Sequence, residues 1–218
     1  MDLKKYLTLL GNASAVPGGG SAAALAGAMG AALGKMVTGI TPNNKIKKYQ
    51  KRFNHNCLTL LSFSEKDSRA YQSVLAAYKL PKSCLRQIRR GGQTPPDVTS
   101  GRTKRIQSAL HQAMVVPLNA MRICLDNLVC LDMIAPLIKP SLKSDFAVAV
   151  LLSQAGMKGC LMNVNINLAC IKNRSIKVKT NKQVKLLNQK MNIVSKRLTR
   201  YLWQFVYSIC YLLSVFYR

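Results

Sequence analysis

The sequence predicts an all-α protein, an antiparallel bundle of long helices, and three observations carry that expectation. Aromatic residues make up only 6% of a chain that is 49% apolar, so its core must be built mainly from small and aliphatic side chains. Alanine and glycine crowd the first forty positions, a composition suited to helices in close contact. No stretch alternates apolar and polar residues as a half-buried strand would. At 218 residues the chain fits one domain or a tight pair of helical subdomains.

Residues 14–21 (SAVPGGGS) are turn-rich, and Ser21 is placed to cap a helix over 22–40. Three consecutive glycines leave that loop without Cβ atoms, so its backbone can approach a ligand or another chain closely. Gly30 and Gly34 form a GxxxG step, with Gly27 on a neighbouring face, and a helix without bulky ridges needs a near partner. Pro42 closes it. A second helix is expected over 46–78, where Cys57, Leu60, Ser64, Asp67, Tyr71, Val74 and Tyr78 recur in steps of three and four. Asp67 is a carboxylate on this mostly apolar stripe, so it must find a partner or accept a raised pKa. Leu80-Pro81 ends the helix.

Residues 82–102, with GGQTPPD and many bases, read as a loop. Ile106, Leu110, Ala113, Pro117, Met121 and Leu125 predict a further helix, kinked at Pro117. Pro136 and Pro140 are expected to break the next short helix. Ser144 is a candidate N-cap for a helix running to about 171, with Asp145 in its first turn, where negative charge suits the dipole. The remainder, 174–218, reads as helical, basic and then apolar. Residues 1–173 are thus taken as a helical domain and 174–218 as its extension.

Charge and cysteine usage narrow the function classes. Thirty-three Lys and Arg stand against seven acids, a net charge of +26. Residues 172–200 hold ten bases and no acid, and 82–105 hold seven bases and one acid. So basic a balance implies a polyanionic partner: nucleic acid, anionic lipid or a polyanionic small molecule. Seven scattered cysteines without a CxxC pair argue against a disulfide framework and for a reducing compartment, the cytoplasm. His55 and His111 sit in no metal-ligand spacing, so no metal site is expected. The uncharged run 201–217 is just short of spanning length. It is read first as a packed or interfacial terminal helix, and second as a membrane anchor.

Five blocks now bear on identity: PGGGSAAALAGAMGAALGKMV (17–37), DSRAYQSVLAAYKLP (67–81), RIQSALHQAMVVPL (105–118), SDFAVAV (144–150) and NVNINL (163–168). In this order and spacing they resemble the formiminotetrahydrofolate cyclodeaminase / methenyltetrahydrofolate cyclohydrolase family, over about residues 5 to 173. The sequence departs from that pattern at IKPSLK before Ser144, in the very basic 82–104 segment, and in the apolar C-terminal run. The resemblance implies an all-helical fold forming a tight homodimer, with the active site in a groove at or near the interface. It also implies action on one-carbon tetrahydrofolates. One activity closes 5-formiminotetrahydrofolate to 5,10-methenyltetrahydrofolate with release of ammonia; the other interconverts methenyl- and 10-formyltetrahydrofolate with water. The expected substrate is a folate, possible polyglutamate tails included, with no tightly bound cofactor. The chain is expected to be a stand-alone version of a domain that bifunctional animal enzymes carry behind a formiminotransferase.

Both reactions move protons at a one-carbon unit held on N5 or N10, work suited to a carboxyl group whose pKa is pushed upward. Of the seven acids only Asp67 and Asp145 fall on the matching blocks. Asp67 is the first candidate acid/base, its bland reading being an ion-pair partner. Asp145 is the second, its bland reading being a helix stabiliser. Asn163 and Asn167, one turn apart, could hydrogen-bond a pterin edge or satisfy buried backbone groups. They lie far from Asp145 if the helix is unbroken: Asp145 and Asn163 are 18 residues apart, roughly 27 Å. Either they meet opposite ends of a long folate, or a dimer partner brings them together. Pro17, Gly18, Gly19, Gly20 and Ser21 could turn backbone N–H groups on a carboxylate or carbonyl, or serve only close packing. Lys79 is a candidate for the glutamate tail, or simply a solvated base, and Ser144 joins the list beside Asp145. The rival class is a non-enzymatic basic helical protein that binds nucleic acid or anionic membrane through 82–105 and 172–218.

Overall fold

The computed structural model describes residues 2–80 and 96–216, the side chains of 96–100 and 204–216 excepted. Six α-helices appear among the described residues: α1 Leu3–Gly11, α2 Gly19–Ile40, α3 Lys47–Lys79, α4 Pro96–Ile134, α5 Lys143–Cys170 and α6 Arg174–Phe216. Two short 3-10 turns, Ala135–Leu137 and Pro140–Leu142, join α4 to α5. No strand occurs among the described residues. The fold is all-α.

The central element is α2, and its glycines explain why. A Cβ at Gly34 would meet the Phe53 ring of α3 at 2.7 Å, and one at Gly27 would meet Cys124 Sγ of α4 at 2.5 Å. At Gly30 it would lie 2.9 Å from the Ala149 carbonyl oxygen of α5. Each glycine therefore admits a different neighbouring helix, and only a helix without side-chain ridges could sit among all three. The contact is reciprocal on α5: a Cβ at Gly156 would lie 2.8 Å from the Gly27 backbone nitrogen.

Contacts along the helices fix their directions. Gly20, Gly27 and Gly34 of α2 meet Asp67, Leu60 and Phe53 of α3 in descending order, so the two are antiparallel. Gly19, Gly27 and Gly30 meet Asn163, Gly156 and Ser153 in the same sense, so α5 also opposes α2. Arg102 at the start of α4 donates to the Tyr78 and Leu80 carbonyls, while Arg52 near the start of α3 meets Asp126 near the end of α4. Core residues form a large central cluster around Phe53, Met121, Leu128, Phe146 and Met157. A second cluster joins the end of α3, the first half of α4 and the end of α5. Three stretches, Gly19–Ile40, Gly101–Leu137 and Pro140–Cys170, are long and apolar enough to cross a membrane by length and composition alone. In the bundle they supply core, with 39% to 61% of their most apolar windows buried.

Several local expectations need correction. Ser21 does not cap α2: Gly18 does, in extended conformation and without a side chain, and Ser21 is the helix's third residue. Its hydroxyl is engaged with Ser64 and Tyr6 instead. Ser144 does not cap α5 either, because that helix starts at Lys143 straight out of the preceding 3-10 turn. The expected loop 82–102 is helical over its described part, residues 96–102; residues 81–95 lie outside the described ones. Pro117 stands inside the single helix α4. No short helix separates Pro136 from Pro140, each of which opens or sits in a 3-10 turn. Tyr71 and Tyr78 flank the buried stripe of α3 and are exposed, while Ala70, Val74 and Ala77 carry its inner face.

Candidate active site

The stripe that buries α3 carries Ser64 and Asp67 one turn apart, opposite the first turn of α2. The Asp67 carboxyl group rests on Gly20: a Cβ at that position would lie 2.6 Å from Asp67 Cγ. The missing side chain is what gives the carboxylate its place. The Ser21 backbone N–H, one of the unpaired donors of a helix start, hydrogen-bonds to Asp67. Ser21 Oγ is 2.7 Å from Ser64 Oγ and 3.0 Å from the Tyr6 hydroxyl. Through Tyr6, its one buried residue, α1 is fastened across this corner.

Burial pushes the Asp67 pKa up, and the Ser21 N–H opposes that rise without cancelling it. No ion pair of Asp67 occurs among the described residues. The N-terminal end of α2 favours nearby negative charge, so the anion remains accessible. A half-buried carboxyl group with a raised pKa beside a backbone N–H can both give and take a proton.

The glycine segment and Asn163 come to the same corner. A Cβ at Gly19 would lie 3.9 Å from Asn163 Nδ2, and that amide donates to the Gly159 carbonyl at 2.9 Å. Pro17 and Gly18 form the half-buried approach to α2. Asn167 has a structural task. Pro117 has no N–H to offer the Ala113 carbonyl, and Asn167 Nδ2 donates to that oxygen at 3.0 Å. It donates also to the Asn163 carbonyl at 2.9 Å.

The remaining candidates are not brought in. Lys79 is exposed on α3, twelve residues and about 18 Å beyond Asp67. Because α5 is unbroken from Lys143 to Cys170, Asp145 and the exposed Ser144 stand at its opposite end from Asn163, roughly 27 Å away. Within one subunit they do not share a site with Asp67. Among the described residues no three His, Cys, Asp or Glu side chains gather as a metal site. Sequence reading missed two members of the corner. Ser64 carried a readable signal, a polar residue on a buried stripe one turn from Asp67. Tyr6 carried none, since its contact spans fifteen positions.

Residues 2–186 match the Formiminotransferase-cyclodeaminase family. The chain is 28% identical to a methenyltetrahydrofolate cyclohydrolase of Methylorubrum extorquens, covering 90% of this chain and 93% of that protein. It is 31% identical to the rat formimidoyltransferase-cyclodeaminase over 86% of its own length, but spans only 34% of that larger enzyme. The fold matches the crystal structure of a formiminotetrahydrofolate cyclodeaminase from Thermotoga maritima with a TM-score of 0.80, at 22% identity, covering 94% of this chain and 98% of that one. With a family match over most of its length and a helical corner built from the blocks that suggested it, the chain belongs to the formiminotransferase-cyclodeaminase family.

Proposed function

We propose that the protein is a folate one-carbon enzyme that converts 5-formiminotetrahydrofolate to 5,10-methenyltetrahydrofolate and ammonia, with Asp67 as its acid and base. The observation that carries this reading is the Asp67 carboxyl group, seated on Gly20 at the start of α2 and raised in pKa by burial. N10 of the folate attacks the formimino carbon, forming the new N10–C bond. The C–N bond to the former imino nitrogen then breaks. Asp67 in its acid form protonates that leaving nitrogen, which departs as ammonia, and as carboxylate it accepts the proton lost from N10. Asn163 and the backbone of Gly19 and Gly20 line the same corner and are the candidates to orient the pterin. The reading requires no cofactor beyond the folate, and its setting is the cytoplasm.

A second reaction has its own support. The Methylorubrum extorquens relative, aligned over 93% of its length, is named a methenyltetrahydrofolate cyclohydrolase. In that reading Asp67 would instead take a proton from the water that attacks the methenyl carbon. The homodimer belongs to both readings. Its support is an exposed apolar column on α5, Val148, Leu151, Met162 and Ile166, beside exposed Met29 and Met36 of α2.

The deciding experiment is turnover of 5-formiminotetrahydrofolate, followed by methenyl absorbance, for wild type and Asp67→Asn. The expected loss in kcat is about 10²- to 10⁴-fold in a variant that keeps its helical content and oligomeric state. Undiminished turnover by the variant would remove Asp67 from the mechanism. Hydrolysis of methenyltetrahydrofolate without cyclodeamination would favour the second reaction, and a folded wild type inert towards both folates would overturn the enzyme reading.

A further inference from the structure

The helix α6 presents two different sides. Its inner side packs into the bundle through Thr180, Met191, Val194 and Leu198, all buried. On the opposite side, by the helical period, Lys182, Lys185, Lys196 and Arg200 form a single exposed column. From Lys182 to Arg200 this column runs about 27 Å. Exposed Val178 precedes it, exposed Ile193 is interleaved with it, and Trp203 stands at its end, 57% exposed. Not one acid occurs in α6. Among the described residues, the acid that reaches the helix from a neighbour is Asp132 of α4, which pairs with Arg197 at the edge of the column.

The helix then continues, without interruption, to Phe216. Residues 201–216 read YLWQFVYSICYLLSVF, without a charged side chain. A cationic column alone would suit any polyanion. A cationic column that passes within one helix into an uncharged, largely apolar stretch suits a narrower class. Nucleic acid offers nothing to the second part, whereas an anionic bilayer offers phosphates to the first and an apolar interior to the second. Tryptophan is favoured at headgroup depth, and Trp203 stands at the changeover, whereas Tyr201 turns inward, edge-on against the Phe146 ring. A second copy of the chain would bring like charge against the column.

We propose that α6 docks this protein on an anionic lipid surface, lying along it with Lys182, Lys185, Lys196 and Arg200 facing headgroup phosphates and the stretch from Trp203 onward resting at the apolar boundary of the same surface. The docking surface is separate from the Asp67 corner, and it stands or falls independently of the reaction performed there.

The test uses the full chain and vesicles of phosphatidylcholine alone or mixed with phosphatidylserine. Flotation is expected with the mixed vesicles, weakening as salt is raised. Trp203 is the only tryptophan in the chain, so its emission reports the contact directly and should shift to the blue. At about fivefold per cation near an anionic surface, the combined variant Lys182→Gln, Lys185→Gln, Lys196→Gln and Arg200→Gln should partition several hundredfold more weakly, with folate turnover unchanged. Should that variant fail to fold, the phosphatidylserine and salt dependence of the wild-type emission decides the matter alone. Folded wild type that neither floats nor shifts its emission would overturn the proposal. So would equal binding to phosphatidylcholine alone, flotation undiminished in the folded variant, or saturable binding to single-stranded RNA in a protein that ignores vesicles.

Discussion

Two half-buried carboxylates in this bundle, Asp67 on α3 and Asp126 on α4, have been driven in opposite directions by their neighbours. Asp126 receives Arg52 Nε at 2.7 Å, Arg52 Nη2 at 2.6 Å and Asn56 Nδ2 at 2.7 Å. Burial alone would raise its pKa, but the bonds from Arg52 and Asn56 and the Arg52 charge outweigh that, and the pKa falls. Asn56 and Asn127 carry the network on to the Gly27 carbonyl of α2. Asp67 receives one backbone N–H from Ser21, and burial prevails. Partial burial thus has unequal consequences, because the neighbours differ. The carboxylate whose lone pairs are filled by a cation and an amide holds α2, α3 and α4 together. The one left with a single donor has its pKa raised by burial and is the one suited to proton transfer.

The widest separation between them should appear in turnover. Asp67→Asn is expected to lose about 10²- to 10⁴-fold in kcat, whereas Asp126→Asn should keep wild-type kcat per folded molecule. If both variants lost activity alike while still folded, the division between a chemical and a structural carboxylate would fail. A smaller loss tests the seat rather than the acid. Alanine at Gly20 would place a Cβ 2.6 Å from Asp67 Cγ, so the carboxyl group must move, at a cost on the order of ten- to a hundredfold in kcat. Gly11→Ala, outside the site, is the control, because a Cβ there would meet nothing within 4 Å. Comparable turnover in the two alanine variants would show that close seating on Gly20 is not needed.

Stability should separate the same pair by the sign of its pH dependence. Asp67 has a raised pKa in the fold, so its contribution is fully present below the unfolded value of about 3.9 and is lost as pH rises through the folded value. Asp126 has a lowered pKa, so its contribution is present above about 3.9 and is lost as pH falls through the folded value. Asp67→Asn should therefore gain Tm at neutral pH, the gain fading towards acid. Asp126→Asn should lose about 1–2 kcal/mol at neutral pH, a modest figure because the Arg52 side chain is 59% exposed, and that loss should fade towards acid. Thermal melts across the acid range would expose the error if the two slopes shared a sign.

The sequence made one of these carboxylates readable and hid the other. Asp67 could be found because a charged residue on the repeating stripe of α3 contradicts its local pattern, and because its block resembles a known family. Asp126 gave no such sign, since Arg52 lies 74 positions away and no local rule predicts that pairing. The same distinction holds across the fold. Helix spans followed from local periodicity, and α3 and α5 begin and end within a residue or two of expectation. Helix starts were less legible: Ser21 and Ser144 have the chemistry of a cap, but tertiary bonding claimed the first and a preceding 3-10 turn displaced the second. Asn167 shows the limit most directly. Its task is defined by a carbonyl that Pro117 leaves unpaired on another helix, a need visible only once α4 and α5 are packed.

The smallest expected effect concerns the reach of the Asp67 corner into α1. Tyr6→Phe removes the hydroxyl 3.0 Å from Ser21 Oγ but leaves the Ser21–Ser64 contact of 2.7 Å in place. Stability should fall by about 1 kcal/mol, the ordinary net value of one hydrogen bond. Activity should stay close to wild type at its optimum, because Tyr6 holds Ser21 and does not itself meet Asp67. The informative readout is the pH–rate profile. If Tyr6 steadies the turn whose N–H opposes the burial of Asp67, loosening that turn lets the Asp67 pKa climb further, and the limb it governs moves to higher pH. A lower Tm with an unmoved limb would confine α1 to packing, and the site would then begin at Gly18.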